Sequence, residues 1–214
     1  MNNSSLKLIR RVAWLSIAVV LVSVFLQLSQ HSGQDMQGSM ADARIGGAFT
    51  LTDQNGRQVS DSDFRGKVML VFFGFSHCPD ICPVALRTMT TAVSMLQSEE
   101  KQHIATIFIT VDPERDTPEV LRDYVASFPE HVTALTGPEA AIQNALHAYR
   151  GSAEKQSDSA APSADYQMQH SGYIYIMGAD GAYLQHMDTN VDAEELRDVL
   201  INALHQRPTE NTPQ

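Results

Sequence analysis

The chain has 214 residues, enough for one domain or a closely packed pair, and it carries 25 acidic against 15 basic side chains. Its formal net charge of -10 argues against a nucleic-acid-binding protein, because contacts to phosphate need clustered lysine and arginine. The acidic surplus indicates a soluble surface that repels its own copies, and it is compatible with a basic partner without requiring one.

The N-terminal segment differs from the rest of the chain in charge and hydropathy. Basic side chains within residues 1–11 precede an uncharged apolar run at residues 12–28, and no further lysine or arginine occurs before Arg44. This asymmetry predicts a cytoplasmic N-terminus at residues 1–11 and a transmembrane anchor at residues 12–28. A cleaved signal peptide is the alternative, although no small-x-small cleavage site follows the run closely. In both cases the globular part is exported.

The remaining chain is predicted to contain a polar linker, one globular domain and a polar tail. The linker occupies residues 29–43, the domain residues 44–207 and the tail residues 208–214. The domain is expected to begin with a short strand at residues 49–51, which pairs through a glycine-containing turn with a second strand at residues 58–60.

Two continuous apolar runs predict buried strands at the centre of a sheet. They lie at residues 68–75 and 104–111 and are apolar on both faces. Between them, residues 83–96 show helical periodicity, with a proline in the first turn. Ahead of the first run, Asp61 or Ser62 is expected to cap a short turn.

The second half of the domain continues the alternation of strands and helices. The predicted elements are a helix opened by Thr117 and Pro118, a strand at 132–135, a helix at 139–149, a polar flexible excursion at 151–169, a hairpin of strands at 172–177 and 182–187, and a helix opened by Asp192. Crossovers through helices require parallel strands, and the hairpin adds an antiparallel edge. This order predicts an α/β, thioredoxin-like fold with an N-terminal extension and an inserted helix.

The two cysteines, Cys78 and Cys82, are separated by three residues. A disulfide across so short a loop removes little entropy from the unfolded chain. Redox or metal chemistry therefore explains the pair better than a structural disulfide does. Pro79 and Pro83 disfavour helix at the residues before them, which predicts that the thiols lie in a loop and a helix cap. The positive end of the following helix then faces the sulfurs and favours thiolate.

Two thiolates suit Cu(I), and Zn(II) less exclusively, and a third ligand is expected from elsewhere in the fold. Among the eight histidines, His170 is the best placed, because it ends the polar excursion and enters a predicted strand. His77 adjoins the first cysteine, but it is expected to face the surface or to support the site indirectly. Met168 is a weaker candidate, as a thioether ligand.

Acidic side chains follow the second buried strand, at the sheet edge that also carries the cysteines. They are Asp112, Glu114 and Asp116. Two interpretations remain open for them. They form a solvated loop and helix cap, or they tune the thiol site and dock a partner.

The segments FFGFSHCPDICP at residues 72–83 and VDPERDTP at residues 111–118, with His170 before a strand and hairpin, resemble the Sco/SenC family. These are copper chaperones of cytochrome oxidase assembly, and the likeness extends over about residues 46–204. One departure is Gln169, which stands where the family usually has an acidic residue.

The resemblance implies a thioredoxin-like fold and a copper site made by Cys78, Cys82 and His170, with Cu(I) and also Cu(II) as the metal. It further implies that the protein delivers copper to cytochrome c oxidase subunit II or another copper acceptor, or reduces the cysteines of its binuclear copper centre. Asp112 and His77 are assigned supporting or docking roles. The expected location is the bacterial inner membrane, with a single span and the domain in the periplasm.

A metal-free thiol–disulfide oxidoreductase or redox sensor that uses Cys78 and Cys82 is the main alternative. The spacing of three residues, against two in typical thioredoxin-like oxidoreductases, favours copper. A peroxiredoxin-type peroxidase is disfavoured by the VDPERDTP segment.

Overall fold

The computed structural model describes residues 45–156 and 166–206. The predicted anchor at residues 12–28, the linker at 29–43 and the tail at 208–214 lie outside the described residues. Within the described ranges, no helix is both long and apolar enough to cross a bilayer.

Most of the strands belong to one sheet. Their bounds are β1 Thr50–Asp53, β2 Gln58–Ser60, β3 Val68–Gly74, β4 Ile104–Thr110, β5 Val132–Thr136, β6 Ala153–Gln156, β7 Gln167–His170, β8 Tyr173–Met177 and β9 Tyr183–Asp188. Seven strands pair in the order β2-β1-β5-β4-β3-β8-β9, and β6 pairs with β7 in a separate ribbon. Strands β3, β4 and β5 are parallel, whereas β8, β9, β1 and β2 add antiparallel edges.

Helices connect the parallel strands and cover the sheet. They are α1 Ile81–Ser94, α2 Ser98–Lys101, α3 Pro118–Val125, α4 Glu139–Ala148 and α5 Ala193–His205, with a 3₁₀ turn at Asp61–Phe64. The strand–helix–strand order and the terminal hairpin confirm the predicted α/β, thioredoxin-like arrangement. Helix α2 has no counterpart in the sequence predictions.

The two central strands are buried along their whole length, as their apolar sequences predict. Phe72 packs against Phe108 of the neighbouring strand, with ring centroids 6.3 Å apart. Phe73 points the other way and meets Tyr149 at 5.3 Å. Apolar side chains therefore project from both faces of β3. This is why its sequence is a continuous apolar run and not an alternation of apolar and polar residues.

The carboxyl ends of β3 and β4 meet at one edge of the sheet. Val111 N–H donates to the carbonyl of Gly74 over 2.7 Å, so the two strands stay paired to their last residues. The loop with the two cysteines leaves β3 at this edge, and the VDPERDTP loop leaves β4 beside it. The topology thus brings together the two segments that stood out in the sequence.

Local predictions held at two helix starts and failed at a third. Thr117 caps α3 by accepting from the N–H of Val120, and Asp192 caps α5 in the same way. The 3₁₀ turn is capped by Ser60 rather than by Asp61 or Ser62. Ser60 can do this because its extended backbone leaves its N–H free to donate to Asp63, a reciprocal capping arrangement.

The predicted flexible excursion at residues 151–169 is wrong at both ends. Ala153–Gln156 and Gln167–His170 pair as antiparallel strands, and residues 157–165 lie outside the described part of the chain. These strands are polar on the exposed face, so composition alone indicated a loop. The backbone pairing fixes His170 opposite Ala153.

Candidate metal centre

Cys78, Cys82 and His170 converge at the carboxyl edge of the sheet. Their ligand atoms all lie within 4.8 Å of one another, and they form a candidate metal-binding group among the described residues. The Sγ atom of Cys82 is 3.5 Å from Nε2 of His170. Cys82 is buried, whereas Cys78 is partly exposed. The structure thus assembles the three residues that the sequence resemblance singled out.

Cys82 lies within helix α1, which contradicts the prediction of a loop and a helix cap for the two thiols, because the cap residue is Asp80. The helix begins at Ile81, so Cys82 is its second residue and Pro83 its third. The first backbone N–H groups of a helix have no intrahelical acceptor, so a proline there removes no hydrogen bond. Cys78 does lie in the preceding loop. The N–H of Cys82 donates to Sγ of Cys78 over 3.5 Å, so the helix start faces this sulfur as predicted.

The glycine at the end of β3 makes room for the buried sulfur. A Cβ atom on Gly74 would lie 2.8 Å from Sγ of Cys82 and 2.8 Å from the ring of Phe108. Those distances are shorter than real Cβ contacts, so any side chain here would displace the cysteine or the ring. The close approach of strand and thiol therefore requires glycine at this position.

The His170 ring is held in one tautomer by the backbone. Its Nδ1 lies 3.0 Å from the carbonyl oxygen of Ser171, which can only accept a hydrogen bond, so Nδ1 carries the proton. The lone pair is then on Nε2, the nitrogen that faces Cys82. Phe72 and Phe75 pack edge-on against the ring, at 6.0 and 5.8 Å between centroids. The imidazole is oriented as a metal-ligating histidine requires.

The two thiols differ in acidity. A hydrogen bond from the Cys82 thiol, with help from the backbone N–H groups of Cys82 and Asp80, lowers the pKa of Cys78 to about 5 despite partial burial. The same hydrogen bond and burial raise the pKa of Cys82 far above its ordinary value. At neutral pH the pair therefore holds one thiolate on Cys78 and one proton on Cys82.

Asp116 is a supporting residue that the sequence analysis considered only within an acidic cluster. Its carboxylate is fully buried and accepts hydrogen bonds from the backbone N–H of Ser76 at 3.0 Å, the Ser76 hydroxyl at 2.5 Å and the Thr110 hydroxyl at 2.6 Å. It therefore fixes the start of the cysteine loop to the end of β4. The aspartate that ends the VDPERD segment was the available signal, but sequence gave no means of choosing among three acidic residues.

Asp112 lies at the same sheet edge as the cysteines, as predicted, but it is buried rather than solvated, and its partners are Arg115 and Tyr166. The Tyr166 hydroxyl donates to Asp112 over 2.6 Å, and Arg115 donates to the other carboxylate oxygen. Glu114 is exposed and pairs with Lys155 at 2.8 Å. The acidic cluster thus divides into two buried carboxylates with structural contacts and one carboxylate at the surface.

His77 and Met168 stand outside the group of three ligands. The His77 side chain is half exposed, and its Nδ1 lies 3.0 Å from the Ser76 hydroxyl and 3.8 Å from the Asp116 carboxylate, so it contacts residues that support the cysteine loop. Met168 is partly buried against the core and shares the inward face of β7 with His170. Gln169 points outward and bonds to Gln156 on the paired strand.

The donor set fits a soft metal such as copper. Two cysteine sulfurs suit Cu(I) and Zn(II), an imidazole nitrogen suits copper and zinc, and a site with one partly exposed thiol leaves a route for a metal to enter and leave. Binding must remove the proton that the thiol pair retains, so metal uptake is coupled to proton release. The same two sulfurs are close enough to undergo thiol–disulfide chemistry without metal.

Comparison with known proteins agrees with this donor set. The family model described as SCO1/SenC matches residues 37–205. A SCO2-like protein of Rickettsia prowazekii is 38% identical over 160 residues, which cover 74% of this chain and 77% of the relative. The match spans the cysteine loop, the VDPERDTP segment and the strand that carries His170.

Solved structures with copper bound share the fold. The structure of Bradyrhizobium japonicum ScoI with copper bound is 38% identical and aligns with a TM-score of 0.68, covering 74% of this chain and 99% of that one. Yeast Sco1 with copper bound is 30% identical, with a TM-score of 0.70, covering 78% of this chain and 92% of that one.

Proposed function

Because this chain belongs to the SCO1/SenC family, we propose that it is a copper-binding assembly factor for cytochrome c oxidase. In this proposal Cys78, Cys82 and His170 hold the copper. The protein delivers the metal to the binuclear copper centre of oxidase subunit II, or reduces the cysteines of that centre. The observation that carries the proposal is the approach of two sulfurs and one imidazole nitrogen to within 4.8 Å.

The geometry favours a carrier over a permanent metal site. Cys82 is buried in helix α1, whereas Cys78 sits partly exposed in the loop. An acceptor thiol or imidazole approaches the copper from the side of Cys78 and replaces this ligand first, while Cys82 and His170 retain the metal. Ligand exchange of this kind moves copper without releasing it to water.

We also propose that the domain works on the outer side of the bacterial inner membrane, held by the segment at residues 12–28. The support is the charge asymmetry of the sequence, with basic residues before the apolar run. Membranes washed with alkaline carbonate should retain the full-length chain, and protease added to spheroplasts should digest its domain. Release of the intact chain by carbonate would contradict the anchor.

The function is tested in cells that lack the protein and are complemented with variants. Wild type should restore the binuclear copper centre of oxidase, measured by its absorption and by metal analysis. His170→Ala and Cys78→Ser should fail to restore it. His186→Ala is the matched control, because His186 is a surface histidine on β9 that bonds to Tyr183. Full restoration by His170→Ala would overturn the copper-carrier proposal.

The thiol pair itself supports a second candidate function, a metal-free thiol–disulfide oxidoreductase. A partly exposed thiol with a pKa of about 5 beside a buried thiol is the arrangement of an attacking and a resolving cysteine. In that reaction the Cys78 thiolate attacks a substrate disulfide and forms a mixed disulfide. Cys82 then displaces the substrate thiol, so the protein is oxidised and the substrate reduced.

The two functions differ in their need for His170. An oxidoreductase needs both cysteines, and it should keep its rate of disulfide reduction in His170→Ala when measured with a peptide disulfide. A copper carrier loses its function in the same variant. If the His170→Ala variant supports oxidase assembly and also reduces the peptide disulfide at the wild-type rate, the function is the redox one.

A further inference from the structure

Arg115 stands where three parts of the metal centre meet. Its Nε donates to the buried carboxylate of Asp112. Its Nη1 donates to the backbone carbonyl of Tyr166 over 3.1 Å. Its guanidinium carbon lies 3.7 Å from the centre of the Tyr166 ring and 5.9 Å from that of Phe75. One side chain thus contacts the loop after β4, the residue before β7 and the residue that precedes the cysteine loop.

These contacts lead to both kinds of ligand. Tyr166 immediately precedes strand β7, which ends at His170. Phe75 packs edge-on against the His170 ring at 5.8 Å, and it leads into the loop that holds Cys78. The position of the imidazole relative to the sulfurs is therefore set by two segments that Arg115 holds together. The β6–β7 ribbon does not pair with the main sheet, and only the His170 end of β7 continues, through residues 171–172, into β8 beside β3. The other end of β7, at Tyr166, is the end that Arg115 contacts.

The contacts need an arginine rather than any cation. A planar guanidinium donates from its edge to a carboxylate and a carbonyl while its face lies on an aromatic ring. The ammonium group of lysine donates from a single nitrogen, so it lacks both the planar face and the donors fixed on separate nitrogens. The Tyr166 hydroxyl completes the arrangement, since it donates to the Asp112 oxygen that Arg115 leaves free, over 2.6 Å.

We propose that Arg115, clamped by Asp112 and Tyr166, is a positioning residue that holds His170 at ligand distance from Cys82. The inference rests on the proposed copper site and assigns Arg115 no contact with the metal. Loss of the clamp leaves all three ligands in the chain and lets the β6–β7 ribbon shift relative to the thiols. The copper affinity then falls, because the third ligand is no longer held in place.

The chain contains a matched control for this proposal. Arg57 also pairs with a buried aspartate, Asp53. Its Nε donates to Oδ2 of Asp53 over 2.9 Å, and its Nη2 lies 2.7 Å from the same oxygen. This pair lies at the β1–β2 turn, where Asp53 is opposite Leu135 of β5. Strands β5 and β4 separate it from β3, the strand that leads into the cysteine loop. Arg57→Lys therefore removes a comparable pair of guanidinium contacts to a buried carboxylate, without changing any residue of the metal centre.

The experiment uses the full-length chain with Arg115→Lys, Tyr166→Phe and Arg57→Lys. Three quantities are measured: the unfolding midpoint of the metal-free protein, the NMR signals of the His170 ring without metal, and the Cu(I) affinity in competition with a chelator. We expect Arg115→Lys to shift the His170 signals and to weaken copper binding by about 10-fold to 100-fold. Tyr166→Phe should also shift the His170 signals and weaken copper binding, but by less than Arg115→Lys does.

The control separates positioning from a general loss of stability. Arg57→Lys should lower the unfolding midpoint but leave the His170 signals and the copper affinity at wild-type values. Unchanged His170 signals in a folded Arg115→Lys protein would overturn the inference, whether or not copper binds. Absence of copper binding by the reduced wild type would overturn the proposed function instead, so the two failures are distinguishable.

Discussion

At the scale of single residues, the two cysteines of the site differ in exposure and in acidity. Cys78 is the partly exposed and acidic thiol, and Cys82 is the buried thiol that retains its proton. The difference arises mainly from the hydrogen bond between them, which stabilises charge on Cys78 and opposes it on Cys82. Incoming copper or an incoming disulfide therefore meets Cys78 first.

This asymmetry predicts the pH dependence of alkylation. Cys78 should react with iodoacetamide from about pH 5 upward, because its folded pKa is about 5 against the ordinary value of 9.0. Cys82→Ala removes the S–H donor, destabilises the Cys78 thiolate and raises the midpoint of the alkylation profile. Cys82→Ser keeps a donor and should raise it less. The pH–rate profile checks this, and an unchanged midpoint in Cys82→Ala would show that the thiol hydrogen bond does not set the acidity.

Sequence could identify the ligands but not the state of each one. The motif and the resemblance selected Cys78, Cys82 and His170, and the structure brings the three together. Pro83 led to a wrong prediction for Cys82. A residue before proline is disfavoured in a helix, but Cys82 is helical here in the first turn of α1. The tautomer of His170 depends on the Ser171 carbonyl, a contact that no pattern of residues encodes.

At the scale of elements, the end of strand β3 fits tightly against helix α1. Gly74→Ala should weaken copper binding, because the new methyl group lies 2.8 Å from Sγ of Cys82 and pushes the sulfur from its place. Gly172→Ala is the control near the same site, since its Cβ would meet nothing closer than 3.6 Å. Cu(I) competition titrations compare the two. Equal affinities in both variants would mean that the sulfur relocates without cost to the site.

The loops after β3 and β4 are joined by Asp116. Asp116→Asn should lower the free energy of unfolding by about 2 kcal/mol, since a buried carboxylate with hydroxyl and amide donors is replaced by a neutral side chain that accepts less strongly. Asp63→Asn, which alters an exposed cap, should change stability little. Urea denaturation measures both. A stable Asp116→Asn protein would show that the two loops are held by other contacts.

Elements with strong local signals were predictable, and those that depend on pairing were not. The apolar runs fixed β3 and β4, and Thr117 with Pro118 fixed the start of α3. Strands β6 and β7 have the polar composition of a loop, and only their backbone pairing with each other makes them strands. The Arg115 clamp joins residues far apart in the sequence, such as Tyr166, and no spacing rule indicates it.

At the scale of the whole molecule, the fold places its chemistry at one edge. Parallel strands β3 and β4 end side by side, and the ribbon β6–β7 brings His170 to the same edge from late in the chain. A metal held there is bound by both halves of the domain at once. Copper binding, the oxidation state of the thiols and the position of the ribbon are therefore coupled properties of one structure.

The most direct test of this account is a Cu(I) titration of the reduced and the oxidised full-length protein. The account predicts that the reduced protein binds one copper per chain and that oxidation of Cys78 and Cys82 to a disulfide abolishes binding. His170→Ala, in the reduced form, should bind much more weakly. A reduced protein that takes up no copper, or an oxidised protein that binds it as well as the reduced one, would contradict the central claim.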